Sequence, residues 1–377
     1  GDSIEEFEQK FAKYIDRKYG LAFPFARTAI YYALKAKNFP PGSEILMPPI
    51  TIKAMLDIVL NLKLVPVFVD VDPETLCFDM MQLKQSINSN TKAALITYLF
   101  GIVPALDEIT ALCKENDIFM IEDFSQCLNG KYNGRKVGGF GDVGVYSSSS
   151  IKTLDTYGGG LLVCDDKDLC MKLREFQSKL MSPSRMMLIK KIITGIVRNI
   201  ATQRIVFTFI VFPLLRLLAL TRSESVLKHT GERDVNMIDR LPGDWFTAFT
   251  SFQAKFGIEA LSKIDANDKV RAGNVNYIKN NTSSTRYPSG VNGSENVYWQ
   301  LLAYFESPKE TQEYFHSNKI DTSTTSLVKI STLQAYPYQG ITPNADRLYA
   351  NGFFIPSYPG LSKKELAYIC HVLNNKK

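Results

Sequence analysis

The stretch 118–126 has the sequence Ile-Phe-Met-Ile-Glu-Asp-Phe-Ser-Gln, a short apolar run that ends on two acidic residues. Such a run, bounded by polar residues, is typical of a buried β-strand. In α/β proteins, ligands bind at the C-terminal ends of the parallel strands. Asp123, the last residue of this run before Phe124, is therefore a candidate site residue. The stretch predicts an α/β fold with a ligand site at one edge of the sheet.

Similar apolar runs alternate with helical patterns on both sides of this stretch. Strand–helix alternation favours a largely parallel sheet covered by helices on both faces. The periodicity predicts helices over 4–19 and 28–37, and strands over 44–47, 65–69, 93–98, 118–121, 143–147 and 160–163. Beyond about residue 251 the pattern changes to a long helix over 252–274, a strand about 298–305 and a last helix over 363–373.

The length of the chain supports more than one structural unit. It has 377 residues, of which 45% are hydrophobic, whereas domains commonly contain about 100–200 residues. We predict a large α/β domain over 1–182, an inserted segment over 183–240 and a smaller α+β domain over 241–377.

Charge and composition exclude several classes of protein. The net charge of +6 is mild, and no nucleic-acid-binding motif accompanies it. The sequence contains three histidines. So few histidines do not favour a histidine-based metal site or a Ser-His-Asp triad, and we predict no metal. The six cysteines form no CxxC pair, which is typical of free thiols in a reducing compartment. We therefore expect a cytoplasmic protein.

The inserted segment has an unusual composition. Seven Lys or Arg and no acidic residue lie between Arg185 and Arg222. Residues 186–200 have an amphipathic helical pattern, and 205–220 are almost entirely apolar apart from Pro213 and Arg216. A membrane-spanning helix needs about 20 apolar residues, so this run is short. We predict a peripheral, in-plane membrane contact through 186–220, and the alternative is an oligomer interface or a packed helix pair.

A lysine follows the predicted strand 143–147 in a turn rich in hydroxyl groups. Residues 147–152 are Ser-Ser-Ser-Ser-Ile-Lys, and three glycines at 158–160 lead into the next strand. A lysine amine near a strand-end aspartate is the pair that pyridoxal phosphate requires, because the amine reacts with its aldehyde and the carboxylate keeps its ring nitrogen protonated. Taken singly, Asp123 could instead cap a helix and Lys152 could be a solvated surface lysine.

The order of several motifs provides a further indication. Residues 134–144, Gly-Arg-Lys-Val-Gly-Gly-Phe-Gly-Asp-Val-Gly, resemble a signature of the DegT/DnrJ/EryC1/StrS family of sugar aminotransferases, which are fold-type-I pyridoxal-phosphate enzymes. Other stretches that resemble the family's motifs in the same order are 25–30, 40–48, 66–75, 98–101, 121–126 and 355–362.

The resemblance implies a role for each candidate residue. Lys152 falls on the lysine that forms the Schiff base, and Asp123 on the partner of the ring nitrogen. Gln126 is expected beside the ring, and Ser147 at the phosphate. Arg27 and Thr28 fall in the phosphate-binding turn. The cofactor implied is pyridoxal 5′-phosphate.

Two departures from the family pattern affect the substrate side of the site. Ile52 stands where many members have an aromatic residue that stacks on the cofactor. The stretch 245–248, Trp-Phe-Thr-Ala, precedes Gln253 in place of a segment whose Asn and Arg reach the partner subunit's phosphate group. We therefore expect a rebuilt substrate pocket.

The resemblance implies an aminotransferase that moves an amino group from an amino acid, with glutamate expected, to a keto-sugar linked to a nucleotide or a lipid. Synthesis of a cell-surface glycan and a homodimeric assembly are expected with it. Another pyridoxal-phosphate reaction, such as decarboxylation, retro-aldol cleavage or elimination, is the first alternative. The second alternative is a non-catalytic, membrane-associated relative, since a fold does not by itself establish a function.

Overall fold

A computed structural model describes residues 2–220, 238, 240–325, 327–333 and 340–376. A seven-stranded sheet, built from strands between residues 19 and 164, forms the centre of the N-terminal part of the chain. Its strands, in spatial order, are Tyr19–Phe23, Gly160–Cys164, Val143–Ser147, Phe119–Asp123, Thr91–Thr97, Glu44–Met47 and Val65–Phe68. The last five strands pair in parallel, whereas Gly160–Cys164 is antiparallel to both of its neighbours. The predicted α/β fold with a mostly parallel sheet is confirmed.

Helices cover both faces of this sheet. They are Asp2–Ile15, Ala26–Lys37, Lys53–Asn61, Met80–Ser86, Leu106–Glu115 and Lys167–Ser178. Successive side chains of a strand point to opposite faces, so Phe119 and Ile121 pack in the core with the Ala26–Lys37 helix, and Met120 packs in the core with Phe7 and Phe11.

The start of the chain differs from the prediction. The helix predicted over 4–19 ends at Ile15, because Asp16 has a φ of 63°, a left-handed conformation that interrupts a helix. Tyr19 then begins an edge strand that the helical spacing did not predict.

The C-terminal part contains a second, smaller sheet and its own helices. The strands Leu301–Tyr304, Gly352–Ile355 and Ser323–Thr324 form this sheet. The helices are Ser251–Leu261, Ile264–Asn280, Pro308–Ser317, Pro343–Asn351 and Lys363–Asn374. Short two-residue strands lie at Ile50–Thr51, Lys131–Tyr132, Arg135–Lys136, Ser294–Glu295 and Val328–Lys329, and single 3₁₀ turns at Leu99–Gly101, Gly243–Phe246 and Ile330–Thr332.

The long helix predicted over 252–274 was wrong, because two helices occupy that region. The first ends at Leu261, where the Ser262 hydroxyl donates to the carbonyl of Glu259 at 2.7 Å. Such local side-chain bonds compete with the helical backbone ladder. The strand predicted about 298–305 is shorter, Leu301–Tyr304, because Tyr298 has a φ of 46°.

The inserted segment forms a bent helical pair where it is described. Arg185–Ala201 is followed by Arg204–Val206, a π-helical turn at Phe207–Val211 and Phe212–Leu220. Within the described residues no single helix is long and apolar enough to cross a membrane; Arg185–Ala201 and Arg204–Leu217, bent by 71°, meet that criterion only together. Residues 221–237 and 239 of the predicted 183–240 segment lie outside the described residues.

Candidate active site

Asp123 is the last residue of its strand and lies buried at the C-terminal edge of the sheet. Its Oδ1 accepts a hydrogen bond from the Ser125 amide at 3.0 Å. Burial raises the pKa of the Asp123 carboxyl, while the hydrogen bonds from Ser125 and the positive charge of Lys152 oppose that rise. The carboxyl therefore lies within the electrostatic influence of the lysine.

The neighbouring Glu122 points to the opposite face and serves the fold. Its carboxylate is fully buried. It accepts hydrogen bonds from the Tyr98 hydroxyl at 2.5 Å and from the amides of Gly138, Phe140 and Gly141 at 2.7, 2.6 and 2.5 Å. Because successive side chains of a strand point to opposite faces, the Glu122 carboxylate binds backbone amides of the fold while the Asp123 carboxylate lies on the other face.

Lys152 lies in the turn that joins the strands Val143–Ser147 and Gly160–Cys164. Its amide donates to the carbonyl of Ser149 at 2.9 Å, and its Nζ lies 4.0 Å from the centre of the Trp299 ring. An ammonium above an indole face is an attractive arrangement. Lys152 itself is half-buried in this turn.

Ser147 and Gln126 meet at the same edge. The Ser147 amide donates to Ser125 Oγ at 2.9 Å, and Gln126 Oε1 accepts from the Phe100 amide at 2.7 Å. Both bonds link the ends of adjacent strands. Asp123 and Ser147 thus end neighbouring strands, and Gln126 and Lys152 lie in the segments that follow those strands.

The predicted phosphate turn opens the Ala26–Lys37 helix. Its N-cap residue, Phe25, provides no capping side chain, and helix N-termini attract anions. Gly160 permits the close approach of this helix start, because a Cβ there would lie 2.2 Å from the backbone at Phe25 and Ala26. The Thr28 hydroxyl is buried and donates to the Trp245 carbonyl at 2.6 Å, whereas the Arg27 guanidinium lies 4.9 Å from the Trp245 ring centre. The Thr28 hydroxyl hydrogen is therefore already used within the protein, and the Arg27 guanidinium packs against the Trp245 ring.

Two contacts of the lysine turn were missed by sequence reasoning. Trp299 Nε1 donates to the Ile151 carbonyl at 3.2 Å, and the Arg198 guanidinium donates to the Ser150 carbonyl. No sequence pattern indicated Arg198, because a basic residue on an amphipathic helix is usually solvated. Trp299 is one of two tryptophans, which was its only signal.

A sequence model of the DegT/DnrJ/EryC1/StrS aminotransferase family matches residues 1–201 and 225–374. The chain belongs to this family. It is therefore an aminotransferase, and the unmatched residues 202–224 lie inside the inserted segment. The resemblance identified from the motifs is confirmed.

Relatives of this aminotransferase match it to different extents. The GDP-perosamine synthase of Escherichia coli is 24% identical over 99% of this chain and 90% of its own length. The spore coat polysaccharide biosynthesis protein SpsC of Bacillus subtilis is 31% identical, but the match spans 46% of this chain and 45% of that protein. A crystal structure of a DegT DnrJ EryC1 StrS aminotransferase from Brucella abortus has a TM-score of 0.77 at 21% identity, covering 99% of this chain and 90% of that one.

The two departures noted in the sequence have structural counterparts in this aminotransferase. Ile52 is the N-cap of the Lys53–Asn61 helix and packs against the core, so its side chain offers no aromatic face to a cofactor. Trp245 contacts the chain's own predicted phosphate turn through Thr28 and Arg27. The assignment of these residues to a site stays a prediction.

Proposed function

We propose that this aminotransferase uses pyridoxal phosphate to move an amino group from glutamate to a keto-sugar. The observation that supports this most directly is the position of Asp123 at the end of its strand and of Lys152 in the turn after a neighbouring strand. Burial raises the pKa of the Asp123 carboxyl, and the charge of Lys152 opposes that rise. A buried carboxylate and an amine at strand ends fit the two chemical demands of this cofactor.

We expect different residues at the C-terminal edge of the sheet to bind the cofactor and to transfer protons. When bound, pyridoxal phosphate supplies an aldehyde that amines can attack and a ring that withdraws electrons. Asp123 would hold a proton on the ring nitrogen, and the Lys152 amine would carry a proton to and from the substrate carbon. Arg27, Ser147 and the N-terminus of the Ala26–Lys37 helix would hold the phosphate. Thr28 would support that turn through its bond to Trp245, and Gln126 would lie beside the ring.

The relatives support a sugar as the acceptor. The match to the GDP-perosamine synthase of Escherichia coli extends over 99% of this chain, which supports a nucleotide-linked keto-sugar. The apolar and basic composition of the inserted segment favours a lipid-linked sugar as the alternative acceptor. The match to the Bacillus subtilis spore coat polysaccharide biosynthesis protein supports a place in the synthesis of a surface glycan. Fold-type-I sites are generally shared between two subunits, which supports a homodimer.

An absorbance experiment tests the amino-donor half of the reaction. Purified protein saturated with pyridoxal phosphate should show a visible band, and glutamate should convert the band to that of pyridoxamine phosphate. Glutamine and buffer alone serve as comparisons. A band that no amino acid changes would favour another reaction type, and a protein that binds no pyridoxal phosphate would contradict the proposal.

The apolar surface of the inserted helices supports a peripheral membrane contact on the inner face of the membrane. Phe209 and Ile210 are 75% and 62% exposed, and no acidic residue lies between 185 and 222. Exposed apolar side chains beside basic ones are the composition of helices that lie in a membrane interface.

Replacing Phe209 and Ile210 by aspartate is expected to abolish binding to vesicles that contain anionic lipid. Burial of each such side chain contributes about 1.5–3 kcal/mol, so vesicle affinity should fall at least tenfold. Co-sedimentation measures this, with Met81→Asp as control because Met81 is also 73% exposed but lies on another helix. Unchanged vesicle binding, together with a change in oligomeric state, would favour the interface alternative instead.

A further inference from the structure

The turn that carries Lys152 is bonded from two directions by residues outside the 1–182 segment. The carbonyl of Ile151 accepts from Trp299 Nε1 at 3.2 Å, and the carbonyl of Ser150 accepts from the guanidinium of Arg198. Trp299 belongs to the C-terminal part and Arg198 to the inserted helix Arg185–Ala201. The two carbonyls that precede the lysine therefore have partners in two other parts of the chain.

Arg198 joins both sides of the turn. While Nη1 bonds the Ser150 carbonyl, Nη2 lies 2.6 Å from Asp155 Oδ2. Asp155 in turn accepts from the Tyr157 amide at 2.7 Å. Both side chains of the Arg198–Asp155 pair are only 25% exposed, so solvent screens the pair less than a surface pair. A planar guanidinium can make both bonds at once, whereas a lysine ammonium lacks that fork.

The helix also fits closely against the turn. A Cβ at Gly195 would lie 2.2 Å from the ring of Tyr157, so a glycine is needed where the helix crosses this ring. Lys191 Nζ lies 5.2 Å from the centre of the Phe25 ring, next to the predicted phosphate turn. Residues 191, 195 and 198 are spaced three or four apart and therefore share one helix face.

We propose that Arg198 is a positioning residue for Lys152 and that the inserted helix is part of the active site. By holding the Ser150 carbonyl and Asp155, Arg198 fixes the backbone on both sides of Lys152 and so the direction in which the amine points. This inference rests on the proposed function, because Lys152 must be the residue that reacts with the cofactor. It extends that function by linking the helix Arg185–Ala201, which directly precedes the residues 202–224 that the family model does not match, to the lysine turn.

Substitution of Arg198 tests the link. Arg198→Ala should weaken the affinity for pyridoxal phosphate roughly tenfold, the effect expected when a hydrogen bond to a charged group is lost. It should also move the pH midpoint of the visible band, because the amine is held less firmly. Arg198→Lys should recover only part of the loss, since it keeps the charge but not the fork. Lys190→Ala, an exposed position on the same helix, should match the wild type.

A second variant keeps Arg198 and displaces its helix. Gly195→Leu should push the helix from Tyr157 and reproduce the loss of cofactor affinity. Amide hydrogen exchange of residues 149–157 in protein without cofactor should rise in both variants, and this readout does not depend on the proposed chemistry. Wild-type exchange rates, affinity and band midpoint in Arg198→Ala and Gly195→Leu would overturn the inference. Faster exchange in a protein that binds no pyridoxal phosphate even as wild type would overturn the proposed function while leaving the contact intact.

Discussion

Alanine in place of Lys152 is expected to lower aminotransferase turnover by roughly 10³–10⁴-fold, the upper range of effects from losing a positioned acid–base group. The visible band with pyridoxal phosphate should disappear as well, because the reacting amine is gone. Turnover with glutamate and a keto-sugar, together with the spectrum, measures both effects. An added small amine such as methylamine should restore part of the turnover, since the missing proton carrier is chemically an amine.

The control for Lys152 is a lysine outside the site. Lys172 is exposed on the Lys167–Ser178 helix, and Lys172→Ala should keep both the band and the turnover. A Lys152→Ala protein that retains the band would show that another lysine binds the cofactor. Such a result would contradict the central assignment.

Asparagine in place of Asp123 is expected to lower turnover roughly 10²–10³-fold while leaving the fold as stable as before or more so. The loss follows because a neutral amide cannot hold the proton on the ring nitrogen, and preorganised charges of this kind contribute on that scale. Steady-state kinetics measures the loss. The cofactor should still bind, because Lys152 and the phosphate contacts remain.

The stability effect of Asp123→Asn follows from the direction of the pKa shift. Burial raises the Asp123 pKa in the folded protein above its unfolded value. A carboxyl whose pKa is higher in the folded than in the unfolded protein stabilises the fold at pH values below its pKa in the unfolded protein. This stabilisation is lost as the pH rises through its pKa in the folded protein. Above the folded-state pKa the buried, charged carboxylate therefore disfavours the cofactor-free fold, and asparagine removes this cost.

Thermal unfolding of the cofactor-free protein at neutral pH and at pH 4 measures how the stability difference between Asp123→Asn and wild type changes with pH. The advantage of Asp123→Asn over wild type should shrink at the lower pH. Asp117→Asn, an exposed aspartate in the loop before the same strand, should show neither the kinetic nor the stability effect. A strongly destabilised Asp123→Asn protein would mean that the carboxylate has a structural role like that of Glu122.

The strands and the candidate site could be predicted because their signals are local. Asp123 lies two residues after the apolar run 118–121, Lys152 lies at the end of the serine-rich turn after the run 143–146, and the glycines at 158–160 lead into the next strand. The edge strand Tyr19–Phe23 could not be predicted this way, because the strand with which it pairs among the described residues, Gly160–Cys164, lies far along the chain. The helix break at Ser262 coincides with a bond from its hydroxyl to the Glu259 carbonyl, a contact that helical periodicity does not register.

Arg198 shows a second limit of sequence reasoning. Its charge lies on a helix whose exposed apolar residues dominate the pattern, so the pattern predicts a solvated basic side chain. Only the packing of that helix against Tyr157 brings the guanidinium to the Ser150 carbonyl. The contact between this helix and the lysine turn is a property of tertiary packing.

The pairing of Phe23 with Gly160 has a consequence for how the protein is made. A strand near the N-terminus leaves the ribosome long before its partner is synthesised, and closing so long a loop delays the pairing. Until then the Tyr19–Phe23 strand has an unsatisfied edge that can pair with other nascent chains. We expect the sheet to nucleate among its parallel strands, with the turn at Phe25 assembled last. Overproduction should therefore be limited by aggregation of incomplete chains rather than by the stability of the finished protein.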